Sequence, residues 1–339
     1  MARLVRRLWP ALLVLSLLLT GCSLFPKAHD RQFVAMDTFM HLTAYGNNAQ
    51  EALSRVQEEI VRLETLLDVN SEKSEVYAVN HRQENIFALS DDAAQLLSLS
   101  LALAEQTGGA FDPTVYPVVR RWGFTTGTYR LPEPEELSAL STLVGHEKAH
   151  LDGHTLTLEP GMMLDFGGIA KGWAGDLTAQ LLRGKGVTSA ILRLGGNIHT
   201  IGTKPDGSLW TVGIEDPANG GTLGTLSVAD LAVVTSGSYQ RYFTVGGQVY
   251  HHIIDPATGY PADSGLTSVT IVGPSGARCD ALSTALFVMG LDKGARFWRE
   301  HRDFEAIFVS GDGSVAVTAG LEGNFSLSSQ QTRSMEVLK

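Results

Sequence analysis

Leu164-Asp165-Phe166-Gly167-Gly168-Ile169-Ala170-Lys171-Gly172 reads as a strand that passes through two glycines into a helix, and the character of the sequence changes around it. Upstream the text is helical. Residues 50–67 put Leu53, Val56, Ile60, Leu63 and Leu67 on one stripe, and residues 91–105 do the same with Ala94, Leu97, Leu101 and Ala104. Downstream it turns into short β-branched runs broken by Gly, Asp and Pro, at residues 210–214, 231–235, 248–254, 267–272 and 306–309. Two helices interrupt these runs, 170–182 ending at Gly184 and 280–289 ending at Gly290, each glycine standing where a left-handed cap belongs. Residues 32–45, which include Met36-Asp37-Thr38, alternate as one strand. The pattern predicts an α+β fold, a single domain with a largely antiparallel sheet flanked by helices, and shows no solenoid repeat.

At the amino end, Arg3, Arg6 and Arg7 precede an apolar run over residues 8–19. About a dozen residues are too few for the roughly 20 of a spanning helix, so residues 1–21 read as a signal peptide. Leu19-Thr20-Gly21-Cys22 has the form of a lipobox, which predicts lipidation at Cys22, a polar tether over residues 22–30 and an exported, membrane-anchored protein facing the periplasm or cell exterior. Ser23 is compatible with an outer membrane, and the choice between inner and outer stays open. Cys279 is the other cysteine, so neither a disulfide framework nor a cysteine zinc site can be built once Cys22 is acylated. The net charge of −10 argues against nucleic acid and against electrostatic adhesion to anionic lipid, leaving the acyl chains to anchor the chain. Residues 326–339 are polar and read as a frayed tail.

Four blocks carry candidate chemistry. In 164–172 the glycines let backbone approach a phosphate, and Lys171 falls in the first helical turn, where the macrodipole disfavours a cation by about 0.3–1 kcal/mol unless an anion is near. A tight packing turn beside a solvated lysine explains the same residues. In Arg278-Cys279-Asp280-Ala281-Leu282-Ser283-Thr284, Asp280 and Thr284 share a helical face with Ser283 beside them, a hard oxygen set that suits Mg2+. Asp280 as a plain N-cap and Thr284 as a back-bonded hydroxyl is the alternative. In His251-His252-Ile253-Ile254-Asp255-Pro256-Ala257-Thr258-Gly259, alternation sends the two histidines to opposite faces, which excludes joint chelation and leaves His252 as a candidate base. Gly108-Gly109-Ala110-Phe111-Asp112-Pro113 would equally well just end a helix.

Taken in order, with Val234-Thr235-Ser236-Gly237-Ser238-Tyr239 between them, these blocks resemble the FAD:protein FMN transferase family, the ApbE family of flavin-transfer lipoproteins, over residues 36–290. The resemblance implies an ApbE-like domain over residues 31–325 that binds FAD as substrate, uses Mg2+ and joins FMN to a Thr or Ser of an acceptor protein with release of AMP. It further implies that Ala170 gives a backbone carbonyl, and Asp280 and Thr284 side-chain oxygens, to the metal. Lys171 and Asp165 would face FAD; Met36 and the Ala110-Phe111-Asp112 turn would line its pocket; Ile254 would touch the nucleotide, and His252 would activate the incoming hydroxyl. The acceptor the family suggests is an extracytoplasmic redox-pump subunit. An FAD pyrophosphatase releasing FMN and AMP, and a flavin-storage lipoprotein, are the rival expectations. This chain departs from the family at Asp37, where Met-Gly-Thr is usual, at Tyr116, where glycine is frequent, and at Asn70, near a position some members give to an aromatic.

Overall fold

The computed structural model describes residues 26–330 and 332–339. The expected signal peptide and Cys22 lie outside them. Seven helices and seventeen strands occur among the described residues, in the order β1 Ala28–Ala35, β2 Thr38–Tyr45, α1 Ala49–Leu67, α2 Glu75–Asn80, β3 Ile86–Ala88, α3 Asp91–Gln106, α4 Tyr116–Trp122, α5 Pro134–Ser141, β4 Ala149–Asp152 and β5 Thr155–Leu158. There follow α6 Ala170–Gly184, β6 Ala190–Leu194, β7 Asn197–Ile201, β8 Trp210–Glu215, β9 Thr222–Val228, β10 Ala232–Gly237, β11 Tyr242–Val245, β12 Gln248–His251 and β13 Leu266–Gly273. The last are α7 Gly276–His301, β14 Glu305–Ser310, β15 Val315–Thr318, β16 Phe325–Leu327 and β17 Met335–Leu338. No helix among the described residues is long and apolar enough to cross a membrane.

The expected α+β architecture is present. A nine-stranded sheet runs β1-β2-β6-β7-β10-β13-β14-β15-β17, antiparallel except for the β15–β17 pair. Period-two alternation divides its core. Val234, Ile271, Ala306 and Phe308 face the helices, while Val233, Val272, Ile307 and Val309 face a second sheet, β16-β9-β8, through Trp210, Val212, Ile214 and Leu226. The result is three layers, with α1, α6 and α7 on one face of the large sheet and the small sheet on the other. Val118, Trp122, Phe124, Leu137 and Ile254 form a separate aromatic-rich cluster, and it is this cluster that carries the β11–β12 hairpin beside the site.

Several boundaries differ from the sequence expectation. Residues 32–45 are two strands, because Met36 and Asp37 both take left-handed backbone (φ 50° and 56°) and form a two-residue turn of the kind that matches strand twist. β1 starts at Ala28, inside the expected tether. Leu164 lies in no strand: the Asn80 carboxamide bonds it in place of a neighbouring strand, donating to its carbonyl at 2.8 Å and accepting from its N–H at 2.7 Å. α7 begins at Gly276 with Ser275 as cap, so Asp280 is not an N-cap; Gly290 (φ 79°) does break the helix, which then resumes to His301. The left-handed glycine after α6 is Gly186, not Gly184. The last residues are not frayed: β17 pairs with β15, buries Leu338, and Arg299 Nε donates to the Lys339 carbonyl at 2.7 Å.

Candidate active site

A cavity of about 830 Å3 collects the residues that the resemblance assigned to the site: Met36, Ala110, Phe111, Asp112, Asp165, Ala170, Lys171, His252, Ile254, Asp280 and Thr284 all line it. Its size falls in the upper part of the roughly 300–1,000 Å3 range of small-molecule sites.

Its floor is the place where α6 and α7 meet. A Cβ on Gly172 would stand 2.1 Å from the Gly276 carbonyl oxygen and 2.8 Å from Asp280 Cβ, and one on Gly175 would stand 1.9 Å from His199 Nε2. Only glycine lets the two helices approach this closely. Gly172 therefore serves helix packing, where the sequence suggested backbone approach to a phosphate. The approach brings the Asp280 carboxylate onto the first turn of α6, where Oδ2 accepts from Gly172 N–H at 2.8 Å. Asp176, from the next turn, fixes the start of α7 by accepting from Gly276 N–H at 2.6 Å, Ala277 N–H at 3.0 Å and Ser275 Oγ at 3.0 Å. One turn beyond Asp280, Thr284 Oγ1 lies 3.3 Å from Ser236 Oγ, which is 2.7 Å from Ser283 Oγ. Ala170, the first residue of α6, lines the cavity with Asp280 and Thr284.

Among the described residues no three His, Cys, Asp or Glu side chains are arranged to hold a metal. The donors at this junction are instead one carboxylate, hydroxyls and main-chain carbonyls. That hard oxygen set fits Mg2+, which keeps several waters and takes few protein ligands, and does not fit zinc.

Cations gather on the same wall. The Lys171 ammonium reaches the Gly167 carbonyl at 3.4 Å and belongs to none of the ion pairs found among the described residues. Arg241, exposed at the rim, is a second cation that the sequence reading missed. Burial pushes the Asp165 carboxyl up, opposed by the Gly167 N–H and by Lys171 and Arg241.

His252 and His251 diverge as alternation requires. His251 Nε2 donates to the Ala262 carbonyl at 3.2 Å and its ring packs edge-on to Phe287, away from the cavity. His252 faces the cavity, and its Nδ1 lies 3.3 Å from the Arg241 carbonyl oxygen. A carbonyl can only accept, so Nδ1 carries the proton and Nε2 of the neutral ring is left with its lone pair. Loss of solvation, then the Arg241 charge, hold the imidazole down to about 3. It is unprotonated at neutral pH.

Other predicted residues contribute through the backbone. The Asp112 carboxylate accepts from Thr114 N–H and Oγ1 at 2.8 and 2.6 Å and from His146 N–H at 2.9 Å, so one oxygen holds its own turn and the other ties that turn to the segment at His146, 34 residues away. Gly108 and Gly109 do end α3, with Gly109 N–H donating to the Ala104 carbonyl at 2.8 Å. The left-handed Met36 is held by Glu64 Oε1, which accepts its N–H at 2.6 Å. Glu64 was not legible, because its partner is 28 residues away in a turn that reads as strand. The same turn accounts for Asp37: with φ at 56° the position favours glycine, and Asp is among the few side chains that tolerate it. Tyr116 is buried in the core, and Asn70 donates to the Thr125 carbonyl at 3.0 Å. Ser236 and Arg241 lie in or beside the 234–239 block, which suggested no role of its own.

The ApbE family model matches residues 36–308. The chain is 35% identical over 307 residues to an FAD:protein FMN transferase of Klebsiella pneumoniae, covering 88% of this chain and 95% of that protein. It is 34% identical over 318 residues to one of Treponema pallidum, covering 87% and 88%. Among solved structures it resembles the ApbE protein of Thermotoga maritima (TM-score 0.83, 31% identity, covering 88% of this chain and 99% of that one). It also resembles the flavin transferase ApbE of Vibrio cholerae (TM-score 0.80, 26% identity, 88% and 99%). The residues matched by the family model include those that line the cavity and pack its junction: this chain belongs to the ApbE family.

Proposed function

We propose that this protein is a Mg2+-dependent FAD:protein FMN transferase. It cleaves the FAD pyrophosphate, attaches FMN through a phosphoester to a Thr or Ser of an acceptor protein, and releases AMP. The observation that carries the reading is the convergence, on one cavity, of the Asp280–Gly172 contact at 2.8 Å, the Thr284 hydroxyl, two cations and a neutral histidine with a free Nε2.

Asp280, Thr284 and the Ala170 carbonyl would hold Mg2+, whose chemistry when bound is to neutralise charge on the pyrophosphate. Lys171 and Arg241 hold the phosphates and stabilise the charge that builds on the departing AMP. The acceptor hydroxyl loses its proton to His252 Nε2 as its oxygen bonds to the FMN phosphorus; the bridging P–O bond breaks and its electron pair leaves with AMP. Met36, Ala110, Phe111 and Ile254 supply the apolar walls for the flavin and adenosine, and Asp165 sits beside Lys171. The anchor and address follow from the sequence: lipidation at Cys22, after removal of residues 1–21, holds the domain outside the cytoplasm, where a redox-pump subunit is the acceptor.

Purified protein, FAD, Mg2+ and a candidate acceptor test this. Labelled acceptor with stoichiometric AMP is expected. AMP without label would replace the reading by hydrolysis, and neither product would leave flavin storage.

A further inference from the structure

Resting on the transfer reading, the geometry points to the outer edge of β11 as the seat of the acceptor polypeptide, which lies there as an added strand and delivers its hydroxyl to His252. β11 and β12 form a sheet of their own, closed by Gly246-Gly247 (φ 60° and 85°) with Val245 opposite Gln248. In such a hairpin the closing pair is hydrogen-bonded and the pairs then alternate. His252 N–H donating to the Arg241 carbonyl at 3.0 Å keeps that phase. The N–H and C=O of Phe243 and Val245 are therefore spent on β12, and those of Tyr242 and Thr244 point outward, where no described strand pairs with them.

Isolated edges are usually blunted by charge, proline or a bulge. Tyr242-Phe243-Thr244-Val245 has none of these. The hairpin is nonetheless rigidly seated. Phe243 stacks on Tyr129 (5.2 Å, 12°), Tyr250 packs on the buried Trp122 (5.4 Å), and Trp122 Nε1 donates to the Gly259 carbonyl at 2.8 Å. With that side anchored, Tyr242 and Val249 stay 52% and 53% exposed. The β1–β2 turn, which also lines the cavity, adds a second exposed apolar pair in Val34 and Phe39.

Position gives the edge its purpose. β11 starts one residue after Arg241 at the cavity rim, and Arg241 is bonded to His252. A strand laid along β11 advances about 3.3 Å per residue and so carries a Thr or Ser into the mouth within a residue or two of the last ladder bond. Main-chain pairing of this kind accepts many side chains and needs only an extended segment.

Thr244→Pro removes an outward N–H without touching the hairpin ladder, and Thr244→Lys guards the edge without altering the backbone. With a soluble, threonine-bearing domain of an extracytoplasmic redox-pump subunit as the acceptor probe, both variants should raise the acceptor KM about tenfold or more. FAD affinity, thermal midpoint and acceptor-independent AMP release should be unchanged. In the wild type, the probe should slow amide exchange at Tyr242 and Thr244. An unchanged acceptor KM in both variants overturns the proposal. So does loss of wild-type self-association in Thr244→Pro with transfer intact, which would assign the edge to a second copy of this chain. A wild-type protein that never labels the acceptor removes the transfer reading itself, an outcome distinct from a KM that fails to move.

Discussion

The α6–α7 junction and the β11–β12 hairpin border the same cavity and are built on opposite principles. At the junction, glycines 172, 175 and 276 leave no space for a single added carbon, and His199, 3% exposed, fills the gap between them. The hairpin is held on one side by stacked rings and open on the other. The contrast separates two demands. Groups that face developing charge must be placed to within a fraction of an ångström, and backbone-on-backbone packing achieves that because it has no rotamers to relax. A surface that receives a polypeptide must keep its polar main-chain groups unsatisfied until the partner arrives.

The largest effect should come from Gly172→Ala. Its Cβ collides with main chain rather than with a movable side chain, so we expect a loss of about 3 kcal/mol in denaturant unfolding. A loss below about 1 kcal/mol would mean that the junction yields and the contrast is wrong. Asp280→Asn comes next and sharpens the point: the amide oxygen still accepts from Gly172 N–H, so the fold should hold while AMP release falls about a hundredfold or more. Full activity would remove Asp280 from the chemistry and leave it only the packing role.

Arg241→Gln probes the seam between the two regions. Burial is the first cause of the lowered His252 pKa and Arg241 the second, so the variant should raise it from about 3 while leaving it below the ordinary histidine value. The acid limb of transfer then moves to higher pH, and the KM for FAD rises about tenfold with the loss of one phosphate contact. An acid limb that stays in place shows that Arg241 does not act on His252. The linked stability effect has a fixed sign. His199, His251 and His252 are all held below their ordinary value, chiefly by burial, so the unfolded chain takes up protons that the folded one refuses. Stability is complete above about pH 6.5 and declines as pH falls from there toward 3. His252→Gln should flatten part of that decline in thermal scans against pH. The smallest effect belongs to the hairpin, where Val249→Thr should change stability by no more than about 0.5 kcal/mol. A larger cost would show that its exposed side is also packed.

Much of this was legible because the relevant signals are local. The helical stripe of residues 50–67 is α1 within one residue, and alternation at His251-His252 predicts their opposite orientation, since side-chain direction in a strand has period two. The α+β class followed from runs of this kind, and the gathering of the chosen residues on one cavity is what the family resemblance implied. What failed was also systematic. The Met36-Asp37 turn was read as strand because Met36 carries no signal for left-handed backbone and Asp37 alone only a weak one, and the tail was read as frayed because a four-residue parallel strand gains its order from β15. Glu64, Ser236 and Arg241 were missed because each acts on a group far away in sequence or outside any motif.

The sequence by itself determined which chemistry the chain can carry: hard oxygens, a lysine at a helix start, a histidine after a strand, an apolar amino-terminal run before Cys22. Only the tertiary structure decided that Gly172 serves the neighbouring helix, that Asp112 spends its oxygens on Thr114 and on the distant His146, and that burial together with Arg241 depresses His252. The physical reason is range. Propensity and periodicity act over a few residues, whereas a close approach, a shared proton or a shifted pKa depends on atoms brought together from opposite ends of the chain.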